Sequence, residues 1–488
     1  MKILVGIASY GAAQDQHLLR LIEEYRSMSF DVDIVVLSNV QKEIALGVEV
    51  VAGLPDEKDP WSLIYAHKTL FAERLEQYDL FLHSENDILV TERNIQAFLK
   101  VSEYLNADET PGFFRYENGP AGETNFPEAH AGFHWDEKSV VTRGPYTLAF
   151  FTNEHAGCYL LKREQLRRAI KTGNYLVAPH FGKYNLPESA STDPFTQCGF
   201  KKLICIAHLD DFLVHHLSNR YAKTLGVERP EFQKMIDALI AGKENPAKAF
   251  SLFPTETKLK RCRYSKNYYE PVRPDVVSLI PPSARSVLSL GCGSGETEEW
   301  LARKGVRVVA VPLDSVIASW AEARGIEVVR GDFKAAREKL EGQRFDCLLI
   351  SNVLHLVEDP IAVISSFSGL LSDDSAVIAL APNLLHLPML RKRIRDEGGL
   401  RRLRSGYKEN GVHFTSPRLV REWFRRAGMN VERVWNTVPK QFEAIRRATF
   451  GLFDSLLAED LVVVAKKGRA QPSPATSAEM AQSVKRTS

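Results

Sequence analysis

The stretch LSLGCGSGE, Leu288–Glu296, constrains this 488-residue chain more than any other. An apolar run, Ser286–Leu290, passes straight into glycines at alternate positions, Gly291, Gly293 and Gly295, and then into a helix opened by acidic residues and Trp300. Glycine lets backbone approach a ligand where a Cβ would block it, so the pattern predicts a strand, a cofactor-binding turn and a helix N-terminus. The turn lies past the midpoint, so more than half of the chain precedes it and needs a core of its own. A chain of this length exceeds what one hydrophobic core organises and divides into two or three domains.

The region ahead of the turn alternates between the two periodicities. Lys2–Ala8 reads as a strand, Gln16–Ser27 as a helix, Val32–Ser38 and Val48–Ala52 as strands, Ser62–Glu76 as a helix, and Asp79–His83 as a strand ending in SENDI. Such alternation predicts a parallel sheet with ligands at the carboxyl ends of its strands. The opening MKILVGIASYG is too short an apolar run for a secretion signal and is the first strand. Glu85 and Asp87 flank Asn86 at a strand end, which suits either a hard divalent ion beside a diphosphate or a solvated acidic loop. Further on, Ser191, Thr192 and Asp193 lead into PFTQCGF, Lys201–Ile206 reads as a strand, and DDFLVHHLSNRY carries His215 and His216.

In this order of parts, residues 1 to 240 resemble the GT-A glycosyltransferases. The resemblance implies a nucleotide sugar as donor and Mn²⁺ or Mg²⁺ held by Glu85, Asp87 and His215 or His216. It implies Ser9, Tyr10 and Lys68 near the nucleotide, Asp193 as general base with Glu188 as the alternative, and Glu154 and His155 facing the acceptor. Glu stands where the family's acidic motif begins with Asp. Asp193 also reads as a helix N-cap before Pro194, a role compatible with catalysis. Gly112–Trp135, rich in aromatics and glycine, reads as an acceptor loop or lid.

Past residue 264 the order is strand 286–290, glycine turn, helix 296–304, strand Val306–Val311, helix Ser315–Arg324, strand Ile326–Val329, then GDF. Strand Phe345–Ser351, NVLHLVEDP, helix Ile361–Leu371 and strand Ala376–Ala381 follow. This stretch resembles the class I S-adenosylmethionine-dependent methyltransferases rather than a dinucleotide fold, since the glycines lack the GxGxxG arrangement. The resemblance implies that Gly291, Gly293 and Gly295 lie against the methionine part of S-adenosylmethionine, and that Asp332 and Phe333 hold the adenine. Asn352 and His355 would contact cofactor or substrate, His355 as a base for an acceptor hydroxyl or as a structural histidine. The ribose-binding acid is displaced: Pro312 stands in its place and Asp314 follows two residues later. His413 reads as a packing residue or substrate contact, and the basic insert Arg391–Asn410 as a wall of the acceptor pocket or a docking face.

The expected architecture is therefore α/β with two doubly wound domains, a GT-A-like nucleotide-sugar fold over 1–243 and a Rossmann-like methyltransferase fold over 265–467. They are joined by a linker, 244–264, and followed by a disordered tail, 468–488, rich in Pro, Ser and Ala. A net charge of +2 gives no argument for nucleic acid. Six cysteines without CxxC pairing indicate neither zinc nor disulfides and suit a reduced, cytoplasmic setting. No apolar run is long enough for a bilayer, although KLKRCR in the linker suits either a solvated connector or peripheral contact with an anionic glycolipid. The leading expectation is a bifunctional glycan-modifying enzyme that transfers a sugar and methylates a saccharide or glycolipid acceptor, with oxygen as the methylated atom. Its rivals are a methyltransferase whose front domain only binds glycan or nucleotide, and a non-catalytic interaction protein.

Overall fold

A computed structural model describes residues 1–44, 46–55, 59–222, 224–245, 249–253, 265–387, 390 and 406–467. The run KLKRCR, the expected tail and most of the basic insert lie outside the described residues.

The N-terminal half opens with β1 (Lys2–Ser9), α1 (Asp15–Ser27), β2 (Asp31–Ser38), β3 (Glu49–Val51), α2 (Ala66–Glu73) and β4 (Leu80–Glu85). It continues with β5 (Ile88–Leu89), α3 (Glu92–Ser102), β6 (Glu109–Pro111), β7 (Phe114–Asn118), β8 (Thr124–Phe126), β9 (Trp135–Arg143), β10 (Tyr146–Phe151) and β11 (Cys158–Lys162). α4 (Arg163–Lys171), α5 (Leu186–Thr196), β12 (Lys201–Cys205), β13 (Leu213–His216), β14 (Val227–Glu228) and α6 (Arg229–Glu244) complete it. The main sheet runs β11-β4-β1-β2-β3, parallel except for β11. β1 is buried along nearly all its length, as expected of a parallel strand covered on both faces. α1 lays Leu18, Leu21, Ile22 and Tyr25 against the core at helical spacing. Because β1 pairs with β2 on one side and β4 on the other, the strand order reverses at β1, which opens a crevice beyond Ser9 and Glu85.

The C-terminal half carries α7 (Pro274–Val277), β15 (Ser286–Cys292), α8 (Glu296–Arg303), β16 (Arg307–Pro312), α9 (Ser315–Ala323) and β17 (Glu327–Val328). α10 (Phe333–Lys339), β18 (Phe345–Ser351), α11 (Pro360–Ser368), β19 (Leu371–Pro382), β20 (Met429–Thr437) and β21 (Asp460–Lys467) follow. One seven-stranded sheet, ordered β17-β16-β15-β18-β19-β21-β20, is parallel up to β19 and antiparallel through β21. This is the Rossmann-like part of the molecule. The glycine turn sits at its switch point, between β16 and β18.

The halves share one core, in which Phe114, Phe126, Trp135 and Phe232 join Trp320, Leu288 and Val311. Trp320 on α9 donates its indole N–H to the Glu231 carbonyl of α6 at 2.9 Å. The chain between them is more than a connector, since Leu252 N–H donates to Leu313 O at 2.8 Å and Ser315 N–H to Phe250 O at 2.9 Å.

Several local expectations are corrected. The helix expected over Ser62–Glu76 is a 3₁₀ turn, Pro60–Tyr65, followed by the shorter α2, because Asp59 caps the turn by accepting from Trp61 N–H. Gly112–Trp135 is no lid: it contains β7 and β8, and Phe114, Phe126 and Trp135 are core residues. Its strands pair with β13 and β14, a hundred residues away in the chain, so no local periodicity reveals them. Asp193 is not an N-cap. α5 begins at Leu186 after the N-cap Asn185, whose capping box uses Glu188, and it runs through Asp193 and Pro194.

Candidate active sites at the glycine turn and the N-terminal crevice

Two glycines of the turn are needed for close approach. A Cβ on Gly291, where φ is +81°, would lie 2.2 Å from Val353 Cγ1 and 3.1 Å from Ser351 O, and one on Gly293 would lie 2.3 Å from Tyr268 O. Tyr268 thus lies directly on the turn, and its carbonyl accepts from Ser294 N–H at 2.9 Å. Gly295, at φ +85°, opens α8, whose first turn carries Glu296, Glu298 and Glu299.

Beside the turn is a recess lined by Lys266, Glu270, Arg273, Gly291, Ser294 and Ser351. Lys266, 2% exposed, donates to Glu270 and to Ser351 Oγ, the latter at 2.9 Å. Burial opposes ionisation of Glu270, but the Lys266 ammonium outweighs it and holds the carboxyl below its usual range. Asn352 adopts a left-handed φ of 52° after β18, and its Nδ2 donates to Glu270 Oε1 at 3.1 Å. The Asn352 Oδ1 and Ser294 Oγ atoms are buried without partners. Buried polar atoms are normally paired, so these atoms fit a polar ligand in the recess. Sequence reasoning missed Lys266 and Glu270, although their i, i+4 spacing in SKNYYE was a usable signal.

Asp314 caps α9 instead of ending β16. Its Oδ1 accepts from Val316 and Ile317 N–H, each at 2.8 Å, while Oδ2 is buried without a partner. Burial raises its carboxyl above the usual range. Asp332 likewise caps α10, accepting from Ala335 N–H at 2.8 Å, and Phe333 stands edge-on to Phe367. His355 is fully buried in a 3₁₀ turn, Leu354–Leu356. His413 packs between Tyr407 and Trp423 and bonds the Val357 carbonyl at 3.0 Å, which makes it a packing residue.

In the N-terminal crevice, Asn86 donates to Ser9 Oγ at 3.0 Å across the switch point, and Tyr10 is exposed beside it. Burial, and then the charge of Asp87, pushes the Glu85 carboxyl up to about 7. His216 Nε2 lies 3.0 Å from Asp87 Oδ2, and its Nδ1 bonds Glu117. Burial opposes the imidazolium, but these two carboxylates raise His216 to about 9. Neighbouring residues on a strand face opposite ways, so His215 turns aside, stacked on Tyr116 at 4.8 Å and bonded to Asn219. Of the expected set, Glu85, Asp87 and either His215 or His216, the structure brings Asp87 to His216, but both nitrogens of His216 are taken by carboxylates, and His215 faces elsewhere. Among the described residues no three His, Cys, Asp or Glu side chains are placed to hold a metal ion. The donor set does not fit Mn²⁺ or Mg²⁺.

Lys68 and Asp193, expected at different substrates, meet in a buried ion pair. Asp193 also accepts from His180, whose Nε2 lies 3.1 Å away and whose ring reaches the surface. Glu188 is spent on the capping box, accepting from Asn185 N–H at 3.0 Å. Glu154 pairs with Lys183 at 3.1 Å, and burial lowers the basicity of His155. His180, Arg115, Glu117 and Glu128 went unnoticed in the sequence: Glu117 meets His216 from far along the chain, while His180 meets Asp193, and Arg115 meets Glu128 at 2.7 Å, without any helical or strand spacing to signal it.

Residues 264–434 match the family described as "Methyltransferase domain". The ubiquinone biosynthesis O-methyltransferase of Xylella fastidiosa (strain 9a5c) is 30% identical over 173 residues, which cover 34% of this chain and 69% of that protein. Its counterpart in Xanthomonas axonopodis pv. citri (strain 306) is 29% identical over 173 residues, covering 34% and 71%. Among solved structures, an S-adenosylmethionine-dependent methyltransferase from Mesorhizobium loti is similar at 20% identity and a TM-score of 0.30, over 40% of this chain and 96% of that one. Among the described residues, no helix is long and apolar enough to cross a membrane.

Proposed function

Because the chain belongs, through residues 264–434, to the S-adenosylmethionine-dependent methyltransferases, we propose that it methylates a saccharide at oxygen and that its front half transfers a sugar to the same glycan. The observation that carries the methyl-transfer half is the recess beside the glycine turn. Lys266 and Arg273 offer cations to a carboxylate and Glu270 offers an anion to an ammonium, side by side, as the amino-acid end of the cofactor requires. Gly291 and Gly293 keep Cβ atoms out of that approach. Asn352 Oδ1 and Ser294 Oγ supply further polar atoms.

When bound, the cofactor supplies an electrophilic methyl group. The rest falls to the chain. The glycine turn orients the donor, and because His355 after β18 is fully buried, the proton of the acceptor hydroxyl leaves to solvent. Oxygen is preferred as the acceptor atom because the similar proteins bear the name O-methyltransferase.

For sugar transfer the support is the crevice at the β1 switch point, with Ser9, Tyr10 and Glu85 on its rim. In the GT-A-like reading Asp193 orients His180, which reaches the surface and takes the proton from the acceptor; Asp193 itself is enclosed. That enclosure favours a second reading, in which the front half binds nucleotide or glycan without turnover. Hydrolysis of a panel of nucleotide sugars separates the two: turnover that is lost in His180→Ala supports transfer, and nucleotide binding without turnover supports the binding domain.

A further inference from the structure

Away from both sites, a cavity of about 180 Å³ opens between α3, the 3₁₀ turn Leu209–Phe212 and the start of β10. None of its lining residues belongs to the glycine turn or to the crevice beyond β1. Its floor is apolar. Val101 and Phe212, each 1% exposed, lie there with Ala97. The walls are fastened on both sides. Asn94 Nδ2 donates to Asp211 O at 2.8 Å and to Leu213 O at 3.0 Å, which fixes the 3₁₀ turn against α3. Ile206 N–H donates to Thr147 O at 3.0 Å, which fixes the chain ahead of that turn against β10. Tyr146 stands edge-on to Tyr104 at 5.6 Å and to His208 at 5.8 Å.

The charge of the lining is one-sided. Its one acid, Asp211, is paired with Arg93 at 2.5 Å. The Lys100 ammonium and the Tyr146 hydroxyl have no hydrogen-bond partner among the described residues. A concave site with an uncompensated cation favours an anion. An inorganic anion would leave the apolar floor unused, because burial of Phe212 and Val101 rewards a ligand that brings C–H surface. Pockets for drug-sized ligands occupy about 300–1,000 Å³, so this smaller cavity suits one ring and not a nucleotide. A sugar ring offers C–H faces to the floor and to Tyr146, and hydroxyls to the Tyr146 O–H and His208.

We propose, on the strength of the glycan reading, that this cavity binds one anionic sugar ring of a saccharide, carboxylated or phosphorylated, with its acid group on Lys100. The front half thus holds a glycan at a docking point separate from both candidate active sites. An acid sugar is recognised here by Lys100 and a neutral one is not.

The test is saturation-transfer NMR of the full chain with methyl β-glucuronide, glucose 6-phosphate, the neutral methyl β-glucoside and inorganic phosphate. At least one of the two acid sugars should bind about threefold or more tightly than the glucoside, the scale of an exposed ion pair. The tighter of the two names the acid. Inorganic phosphate at equal concentration should not displace it. Lys100→Gln, at an exposed position of α3, should remove most of the preference without moving the melting midpoint. Four results overturn the assignment: neither acid sugar binds, the glucoside binds as well, phosphate displaces the sugar, or Lys100→Gln keeps the full preference. The first three need no variant to fold. Each of them leaves the glycan reading standing, since that reading is lost only if nucleotide sugars are neither bound nor turned over.

Discussion

Ser294 donates its amide hydrogen to the Tyr268 carbonyl across 2.9 Å, and the Tyr268 amide in turn donates to the Ala131 carbonyl at 2.7 Å. Two hydrogen bonds thus fasten the glycine turn, through the segment preceding its sheet, to the N-terminal half. The glycine turn is built against the front of the molecule, not beside it.

Gly293→Ala tests that closure. The new Cβ would fall 2.3 Å from Tyr268 O, a backbone atom that cannot swing away. Overpacking of this kind costs about 1–3 kcal/mol. The melting midpoint should fall, and S-adenosylhomocysteine affinity measured by calorimetry should drop with it. Gly242→Ala is the contrasting case: it lies in α6 with nothing within 4 Å of its Cβ, and it should stabilise the chain by up to about 1 kcal/mol.

Glu270→Gln should weaken cofactor binding by more than the stability it costs by leaving the buried Lys266 without its carboxylate. The amide keeps the shape but loses the anion that faces Lys266 and that the proposed function sets against the cofactor ammonium. A loss of about tenfold in affinity is expected, the scale of one charge-assisted hydrogen bond. Unchanged affinity would move the amino-acid end of the cofactor elsewhere.

The buried pair Lys68–Asp193 predicts strong non-additivity. Removing either partner alone, as Lys68→Met or Asp193→Leu, leaves an uncompensated charge and should cost about 3–5 kcal/mol in chemical denaturation. The double variant should cost clearly less than the sum. Additive losses would mean that the pair is not coupled.

Glu137 gives the pH dependence a sign. Its folded carboxyl titrates at about 9 against an ordinary 4.5, so the folded state holds a proton that the unfolded state has lost. Stability from this group is therefore present at low pH and declines as pH rises from about 4.5 to about 9. Denaturant midpoints across that window should fall for the wild type and flatten for Glu137→Gln.

Legibility differed between the halves for a physical reason. The methyltransferase sheet is parallel up to β19 and its pairings there follow short crossovers, so strand 345–351 and the glycine turn were readable from periodicity and spacing. Asp314 was seen but misplaced, because its capping role depends on where α9 starts. In the front half, β7 and β8 pair with strands far along the chain, and their aromatics read as a loop. Asp87 and His216 were both singled out, and the structure brings them together, but as an ion pair extended by Glu117. Glu137 carried no local signal at all.

The most direct test of the account is equilibrium dialysis of labelled S-adenosylmethionine against the full chain. It predicts saturable binding of one cofactor per chain, weakened in Glu270→Gln. Absence of binding at millimolar cofactor would contradict it.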